Sequence, residues 1–188
     1  MNMFTKEELQ SCTRCPLSQS RTHALAGEGN MNADMMLIAQ APGELEDKKN
    51  RMFIGPSGNI LHALLKEANI NEDDLYMTNL IKCVLPKNRR PKQSEIKACS
   101  MYLDMEIEEI APKILVPLGY YATKYIFEKY SLHQFARSEF TELIGKLFVA
   151  DNMQIFPLSH PALLLYRKEF YKNSVVNFNN LRKIIAKI

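Results

Sequence analysis

Four short apolar runs along the chain have the length of buried β-strands. They cover residues 35–40, 75–81, 114–118 and 153–158, and turn or polar residues bound each run. Elsewhere apolar residues recur at the spacing of a helix that buries one face, which predicts helices over 57–69, 94–110, 120–130 and 174–188. Ser94 is the expected N-cap of the second helix, without a capping box because Lys97 stands where Glu or Gln would complete it. Strands alternating with helices predict an α/β fold in which helices cover both faces of a parallel sheet.

Polar residues cluster where three of the predicted strands end. The first strand runs into a loop over 39–47 that contains Gln40, Glu46 and Asp47. The second strand carries Asn79, and the fourth leads into His160. Because ligands bind at the carboxyl ends of parallel strands, these loops are predicted to form a common site.

Composition and charge set the broad class of the protein. The chain has 188 residues, 46% of them apolar and 24% charged, and we expect one soluble domain over 1–188. The net charge of only +3 does not by itself indicate a nucleic-acid binder, and the one dense basic cluster covers 87–92. No run approaches the roughly 20 apolar residues of a membrane helix. The first eight residues lack the features of a signal peptide, so we expect a cytoplasmic protein.

Four cysteines are the strongest candidates for a metal centre. Cys12 and Cys15 form a closely spaced pair, whereas Cys83 and Cys99 are separated by 15 residues. A cytoplasmic location makes disulfides improbable. Four thiolates can hold zinc or a 4Fe-4S cluster, and the spacing alone does not choose between these two metals or exclude four unrelated buried thiols.

Several sequence blocks occur in one order from about residue 12 to residue 183. They are the Cys-x2-Cys pair, Ala-Pro-Gly with Glu-Asp over 41–47, Met-Phe-Ile-Gly over 52–55, Thr-Asn-Leu-Ile-Lys-Cys over 78–83, Asn-Arg-Arg-Pro over 88–91, Cys99 and His-Pro-Ala over 160–162. In these blocks the chain resembles family 4 uracil-DNA glycosylases over nearly its whole length. The resemblance implies a three-layer α/β/α sandwich with a central four-stranded parallel sheet. It also implies a structural 4Fe-4S cluster on the four cysteines.

The resemblance implies roles for three side chains around a flipped-out uracil. Phe53 matches the stacking residue of the family. Asn79 matches the residue that reads the base, because an amide can accept from N3–H and donate to O4 at once. His160 matches the donor to O2, where the departing uracil carries negative charge. The other histidines lack such a context and are interpreted as surface or packing residues: His23, His62 and His133.

The loop after the first strand is expected to act on the sugar and on water. The turn from Ala41 to Gly43 would place backbone groups against sugar and phosphate, for which glycine is suited. Glu46 and Asp47 are candidates to orient water or stabilise positive charge, and the alternative is that both are simply acidic residues of an exposed turn.

One position departs from the family pattern. Family members usually have Gly-Glu-Ala-Pro-Gly where this chain has Ala-Gln-Ala-Pro-Gly over 39–43. Gln40 therefore replaces a carboxylate that helps position water. Family 1 enzymes have Gln at this position, followed by a catalytic Asp that Ala41 does not provide.

Contacts with DNA are expected from basic side chains and from one apolar loop, whether the DNA is single- or double-stranded. Phosphate contacts are predicted for Lys82, Arg89, Arg90 and Arg167. Leu164, in an apolar loop after His160, is predicted to enter the gap left by the base.

Three functional hypotheses follow from these features. The leading one is a monomeric, monofunctional glycosylase that hydrolyses the bond between uracil and the DNA sugar, with hypoxanthine or another deaminated base as possible further substrates. The second is a glycosylase-fold module that binds such lesions without efficient cleavage, because of Gln40. The third is a zinc-stabilised domain that binds RNA or protein.

Overall fold

A six-stranded sheet forms the centre of the computed structural model, which describes residues 4–150 and 152–188. The spatial order of the strands is β1-β3-β2-β4-β6-β5. In chain order they are β1 (Glu28–Gly29), β2 (Met35–Ala39), β3 (Leu75–Asn79), β4 (Ile114–Pro117), β5 (Phe148–Ala150) and β6 (Met153–Ile155).

The four strands predicted from apolar runs are β2, β3, β4 and β6, and they pair in parallel as expected. The predicted number of strands was wrong, because β1 and β5 each add an antiparallel strand at an edge. These edge strands contain only two and three residues. The strand β1 contains no apolar residue, and β5 lies in an apolar run of only four residues, 147–150, which is shorter than every run from which a strand was predicted.

Four longer helices cover the sheet close to the predicted positions. They are α3 (Pro56–Glu67), α4 (Gln93–Ile110), α5 (Tyr120–Lys129) and α8 (Tyr171–Ile185). The N-cap of α4 is Lys92 and not Ser94, so Glu95 stands at the third helical position and accepts a hydrogen bond from the Lys92 N–H at 2.8 Å. Shorter helices are α1 (Lys6–Gln10), α2 (Glu44–Lys49), α6 (Phe140–Leu143) and α7 (Leu163–Tyr166).

Each face of the sheet carries its own apolar core, which confirms the three-layer α/β/α arrangement. Alternate residues of β2 point to opposite faces. Met36 and Ile38 pack in the core that includes α4 and α5, whereas Met35 and Leu37 pack in the core that includes α3 and α8. The parallel strands therefore bring their carboxyl ends to one edge between the two helical layers. In the described part of the chain, no helix is long and apolar enough to cross a membrane.

Candidate active site

A cleft of about 770 Å³ opens at the carboxyl ends of the parallel strands. Its walls come from the loop after β2, the start of α3, the segment after β3 and the loop after β6. Five of the predicted site residues line it: Gln40, Ala41, Gly43, Glu46 and His160. The structure therefore brings together residues that lie up to 120 positions apart in the chain (160 − 40).

His160 is held in one tautomer by its own loop. Its Nδ1 accepts a hydrogen bond from the Ala162 N–H at 3.1 Å, so in the neutral ring the proton lies on Nε2. Burial lowers the pKa of His160 from 6.5 to about 4. The residue is half-buried and still lines the cleft, so it presents a neutral imidazole with one N–H donor.

Gly119 follows β4 and packs directly against His160. Its φ is +87°, a conformation that L side chains rarely adopt. A Cβ at this position would lie 3.1 Å from the Cβ of His160. The absence of a side chain at Gly119 therefore allows the strand end to approach the histidine loop.

Glu46 is buried and connects two glycine turns at the floor of the cleft. Its Oε1 accepts a hydrogen bond from the Gly55 N–H at 2.9 Å. A Cβ on Gly43 would lie 2.5 Å from Oε2, so any larger residue at this position would displace the Glu46 carboxylate. Glu46 thus fixes the end of the segment that carries Phe53, in addition to lining the cleft.

Asp47 lies outside the cleft, although it is the next residue. Its carboxylate accepts hydrogen bonds from the backbone N–H groups of Thr22 and His23 at 2.9 and 3.1 Å. The Asp47 carbonyl lies 2.6 Å from His23 Nδ1. These contacts tie the N-terminal segment to α2, and they are a structural alternative to the predicted role in orienting water.

Asn79 and Phe53, two of the predicted site residues, are not among the residues that line the cleft. Asn79, the last residue of β3, is paired in register with Ala39 of β2. Its Nδ2 lies 3.3 Å from the Met52 thioether sulfur, which brings the amide next to the segment that carries Phe53. Both residues are buried, with 3% of Asn79 and 7% of Phe53 exposed.

Phe53 has a backbone conformation that is unusual for a bulky residue. Its φ is +52°, in the left-handed region. The Phe53 carbonyl lies 3.0 Å from His62 Nε2, and a Cβ on Gly58 would lie 1.7 Å from the same carbonyl oxygen. His62 and Gly58 of α3 therefore hold the strained turn, as expected where the orientation of a ring matters.

The four cysteines converge on one small cavity, which is also lined by Arg21, Lys82 and Tyr102. Cys83 and Cys99 are buried, and Cys12 and Cys15 are half-buried. The Arg21 guanidinium donates to Cys83 Sγ at 3.4 Å, and the Lys82 backbone N–H donates to Cys99 Sγ at 3.2 Å.

The chemistry of this cavity fits a thiolate-bound metal centre. Burial raises the pKa of Cys83 and raises that of Cys99 to about 12, so these thiols need a bound cation to be thiolates at neutral pH. Within the described ranges, no three His, Cys, Asp or Glu residues are arranged to hold a single metal ion.

The predicted phosphate contacts occupy different environments. Lys82 is fully buried and its ammonium pairs with Glu106 at 2.5 Å, which does not agree with a contact to DNA. Arg89 is bound by the Glu95 carboxylate through both terminal nitrogens. Arg90 is exposed beside the cleft residue Asn88. Arg167 is exposed and pairs with the Glu169 carboxylate.

The position of Leu164 does not agree with its predicted role of entering the gap left by the base. It is only 5% exposed and packs in the core that includes α3 and α8. In the same short helix, Leu165 is 39% exposed and Tyr166 is 84% exposed, and both line the cleft. One helical turn necessarily places adjacent residues on different sides, and the apolar run Leu163–Leu165 could not show which side faces the core.

Sequence reasoning missed several residues that line the cleft. They are Lys48 of α2, Pro56 and Ser57 at the start of α3, and Leu85 and Asn88 after β3. The proline at the first helical position was a signal that a helix begins there. No local signal indicates that this helix end faces the same space as His160.

Comparison with known proteins assigns the chain to a family. Residues 26–183 match the model of the uracil DNA glycosylase superfamily. The chain is 42% identical over 184 residues to a type-4 uracil-DNA glycosylase of Sulfurisphaera tokodaii, covering 95% of this chain and 82% of that protein. It is 34% identical over 193 residues to a type-4 uracil-DNA glycosylase of Thermotoga maritima, covering 97% and 92%. A third such protein, from Archaeoglobus fulgidus, is 31% identical over 187 residues, covering 96% and 91%. The chain therefore belongs to the uracil-DNA glycosylase superfamily and, within it, to the type-4 proteins.

Proposed function

We propose that the protein is a monofunctional uracil-DNA glycosylase that hydrolyses the bond between uracil and deoxyribose and leaves an abasic site for base excision repair. The observation that carries this proposal is the neutral His160 imidazole, fixed with its Nε2–H available in a cleft shared with Gln40 and Ala41. The names of the curated type-4 relatives support uracil in DNA as the substrate. They do not favour the alternative of a module that binds without cleaving.

Base recognition is assigned to Asn79 and Phe53. A uracil that leaves the helix stack needs an aromatic surface and a polar partner for its Watson–Crick edge. The Asn79 amide lies at the end of β3 beside the segment of Phe53. Cytosine would present an acceptor at N3 and a donor at position 4, so the same amide orientation would leave buried polar groups unpaired.

His160 stabilises the leaving group. As the glycosidic bond breaks, its electron pair moves to uracil and negative charge develops on O2. A neutral imidazole that is already oriented donates a hydrogen bond there without reorganisation, an effect that typically contributes about 3 kcal/mol. The N–H donation from Ala162 to Nδ1 keeps the proton of the neutral ring on the other nitrogen.

Water attack is assigned to the loop after β2. The sugar becomes cation-like as the bond breaks, so a water molecule that forms the new bond to the sugar needs orientation more than activation. Gln40 and Glu46 both line the cleft and can accept hydrogen bonds from this water. Asp47 is engaged by backbone groups elsewhere, which makes it the weaker candidate.

Leu165 and Tyr166 replace Leu164 as candidates to fill the gap in the DNA. Both are exposed at the rim of the cleft that contains His160. A side chain that enters a base step must be accessible and offer an apolar surface, which Leu165 does with its aliphatic side chain and Tyr166 with its aromatic ring.

A 4Fe-4S cluster bound by Cys12, Cys15, Cys83 and Cys99 is the metal centre that we propose. Four thiols that line one cavity can supply all the ligands of such a cluster, and membership among the type-4 proteins, for which the sequence resemblance implies this cluster, supports it over zinc. When bound, the cluster would join the N-terminal segment to the start of α4, and no catalytic step is assigned to it.

The proposal is tested with a labelled oligonucleotide that contains one uracil. After incubation, alkali cleaves abasic sites, and the cut strand is quantified under single-turnover conditions. We expect His160→Ala to reduce the rate by about 10²–10³-fold because one preorganised donor is lost. Asn79→Ala should also slow excision strongly, whereas the exposed His133 serves as the matched control and His133→Ala should excise normally.

Two outcomes would contradict the assignment. Normal excision by His160→Ala would show that His160 does not stabilise the leaving uracil. No excision by folded wild-type protein that still binds uracil-containing DNA would favour the module that binds without cleaving.

A further inference from the structure

A group of tyrosines and basic residues lies on the surface beside the active-site cleft. We define the tyrosine–arginine patch as the following residues that line one shallow pocket: Arg90, Tyr120, Tyr121, Lys124 and Arg137. The Arg137 guanidinium lies 5.0 Å from the ring centroid of Tyr120 and 5.4 Å from that of Tyr121. It also donates to the Tyr121 hydroxyl at 3.2 Å. Two aromatic rings therefore hold this cation in place while it remains exposed.

The charge of the patch is positive and partly uncompensated. Its pocket contains three cations and one carboxylate, Glu128, which lies 3.7 Å from the Lys124 ammonium. Within residues 4–150 and 152–188, neither Arg90 nor Arg137 has a carboxylate within 4.0 Å. This differs from Arg89 and Arg167, which pair with Glu95 and Glu169. Both unpaired guanidiniums can therefore bind a phosphate without breaking an ion pair.

Two short stretches of chain connect the patch to the cleft. Leu85 and Asn88 line the cleft, and Arg90, two residues later, lines the patch. On the other side, Gly119 packs against His160 and is followed at once by Tyr120. A DNA strand that places one nucleotide in the cleft would therefore meet the patch with its neighbouring nucleotides.

We propose that the tyrosine–arginine patch binds the DNA strand that flanks the uracil nucleotide. Arg90 and Arg137 contact its phosphates, and the tyrosine rings stack against an unpaired base. Aromatic side chains beside a positively charged groove are the usual means of binding single-stranded nucleic acid. This inference rests on the proposed function for the position of the uracil, but the affinity of the patch for DNA does not require catalysis.

The test compares the binding of long and short single-stranded oligonucleotides that contain no uracil. Fluorescence anisotropy is measured over a range of salt concentrations for wild type, Arg137→Ala and Arg137→Lys. The matched control is Lys183→Ala, which removes an exposed charge on α8. Thermal unfolding of each variant establishes that the fold is retained.

We expect Arg137→Ala to bind the long oligonucleotide at least about 5-fold more weakly, because one charge-assisted contact to a phosphate is lost. The slope of log affinity against log salt should fall by about 1, and the short oligonucleotide should lose much less affinity. Arg137→Lys should keep the slope but recover only part of the affinity, because an ammonium cannot bind a phosphate through two parallel hydrogen bonds as a guanidinium does. Lys183→Ala should match wild type.

Equal losses for long and short oligonucleotides, or wild-type binding by Arg137→Ala, would overturn the proposal. These outcomes are separable from those of the excision assay. Length-dependent loss in a protein that releases no uracil would retain the patch and reject the glycosylase function. Normal excision together with unchanged binding by Arg137→Ala would retain the glycosylase function and reject the role of the patch.

Discussion

At the scale of single residues, the site depends on the protonation state of His160. The Ala162 N–H donates a hydrogen bond to Nδ1, and burial lowers the pKa of the ring to about 4. Protonation would place a proton on the nitrogen that now accepts a hydrogen bond. The residue is therefore a neutral hydrogen-bond donor at neutral pH.

This leads to a prediction for pH dependence. Above about pH 5, we expect excision to show no loss from titration of His160, with loss only as pH falls toward about 4. Because the folded pKa lies below the ordinary value of 6.5, the stability tied to this group is fully present above pH 6.5 and is lost as pH falls to about 4. Imidazole resonances followed by NMR, with His160→Gln to assign the peak, measure this pKa. Titration near 6.5 would contradict the prediction.

At the scale of secondary-structure elements, a buried ion pair links β3 to α4. The Lys82 ammonium contacts Glu106 at 2.5 Å and the Thr78 hydroxyl at 2.6 Å, and Glu106 also accepts from the Gly27 N–H at 2.8 Å. Lys82 is completely buried, as is Glu106. The lysine of the Thr-Asn-Leu-Ile-Lys-Cys block is therefore a structural residue next to Cys83, and sequence reasoning assigned it to the DNA because a surface position is the ordinary one for lysine.

We expect Lys82→Met to lower the free energy of unfolding by about 3–5 kcal/mol, because it leaves the Glu106 carboxylate buried without its cation. The control is Lys113→Met, which breaks an exposed pair with Asp34 at 3.1 Å and should cost no more than about 1 kcal/mol. Urea unfolding followed by circular dichroism compares the two variants. Similar losses in both would show that burial of the Lys82 pair has little energetic effect.

At the scale of the whole molecule, the cysteine cavity joins distant parts of the chain. Cys12 and Cys15 belong to the N-terminal segment, Cys83 follows β3 and Cys99 lies in α4. Asp47 ties the same N-terminal segment to α2 through Thr22 and His23. A metal centre here would fix the region from which Arg90 reaches the surface.

Loss of one ligand should therefore affect both metal content and stability. We expect the purified wild-type protein to contain about four iron atoms and four acid-labile sulfides per chain. Cys83→Ser should lose most visible absorbance and unfold at a lower temperature, whereas Thr13→Ser, between the first two cysteines, should retain both. Zinc in place of iron in the wild-type protein would reject the proposed cluster.

Much of this architecture followed from the sequence by itself. Apolar runs located the four parallel strands, and helical spacing located the four long helices, because burial of one or both faces imposes these periods directly. The sequence blocks also placed Gln40, Gly43 and His160 at strand ends, and parallel strands necessarily bring those ends to one edge. That the 188 residues form one domain stays a prediction.

Only the tertiary structure decided how neighbouring residues divide their roles. Glu46 faces the cleft while Asp47 binds backbone at Thr22, and Leu164 enters the core while Tyr166 is exposed. A pattern of residue types cannot separate such neighbours, because their environments come from segments far away in the chain. For the same reason the tyrosine–arginine patch exists only in the folded molecule, where the loop after α5 brings Arg137 onto the rings of Tyr120 and Tyr121.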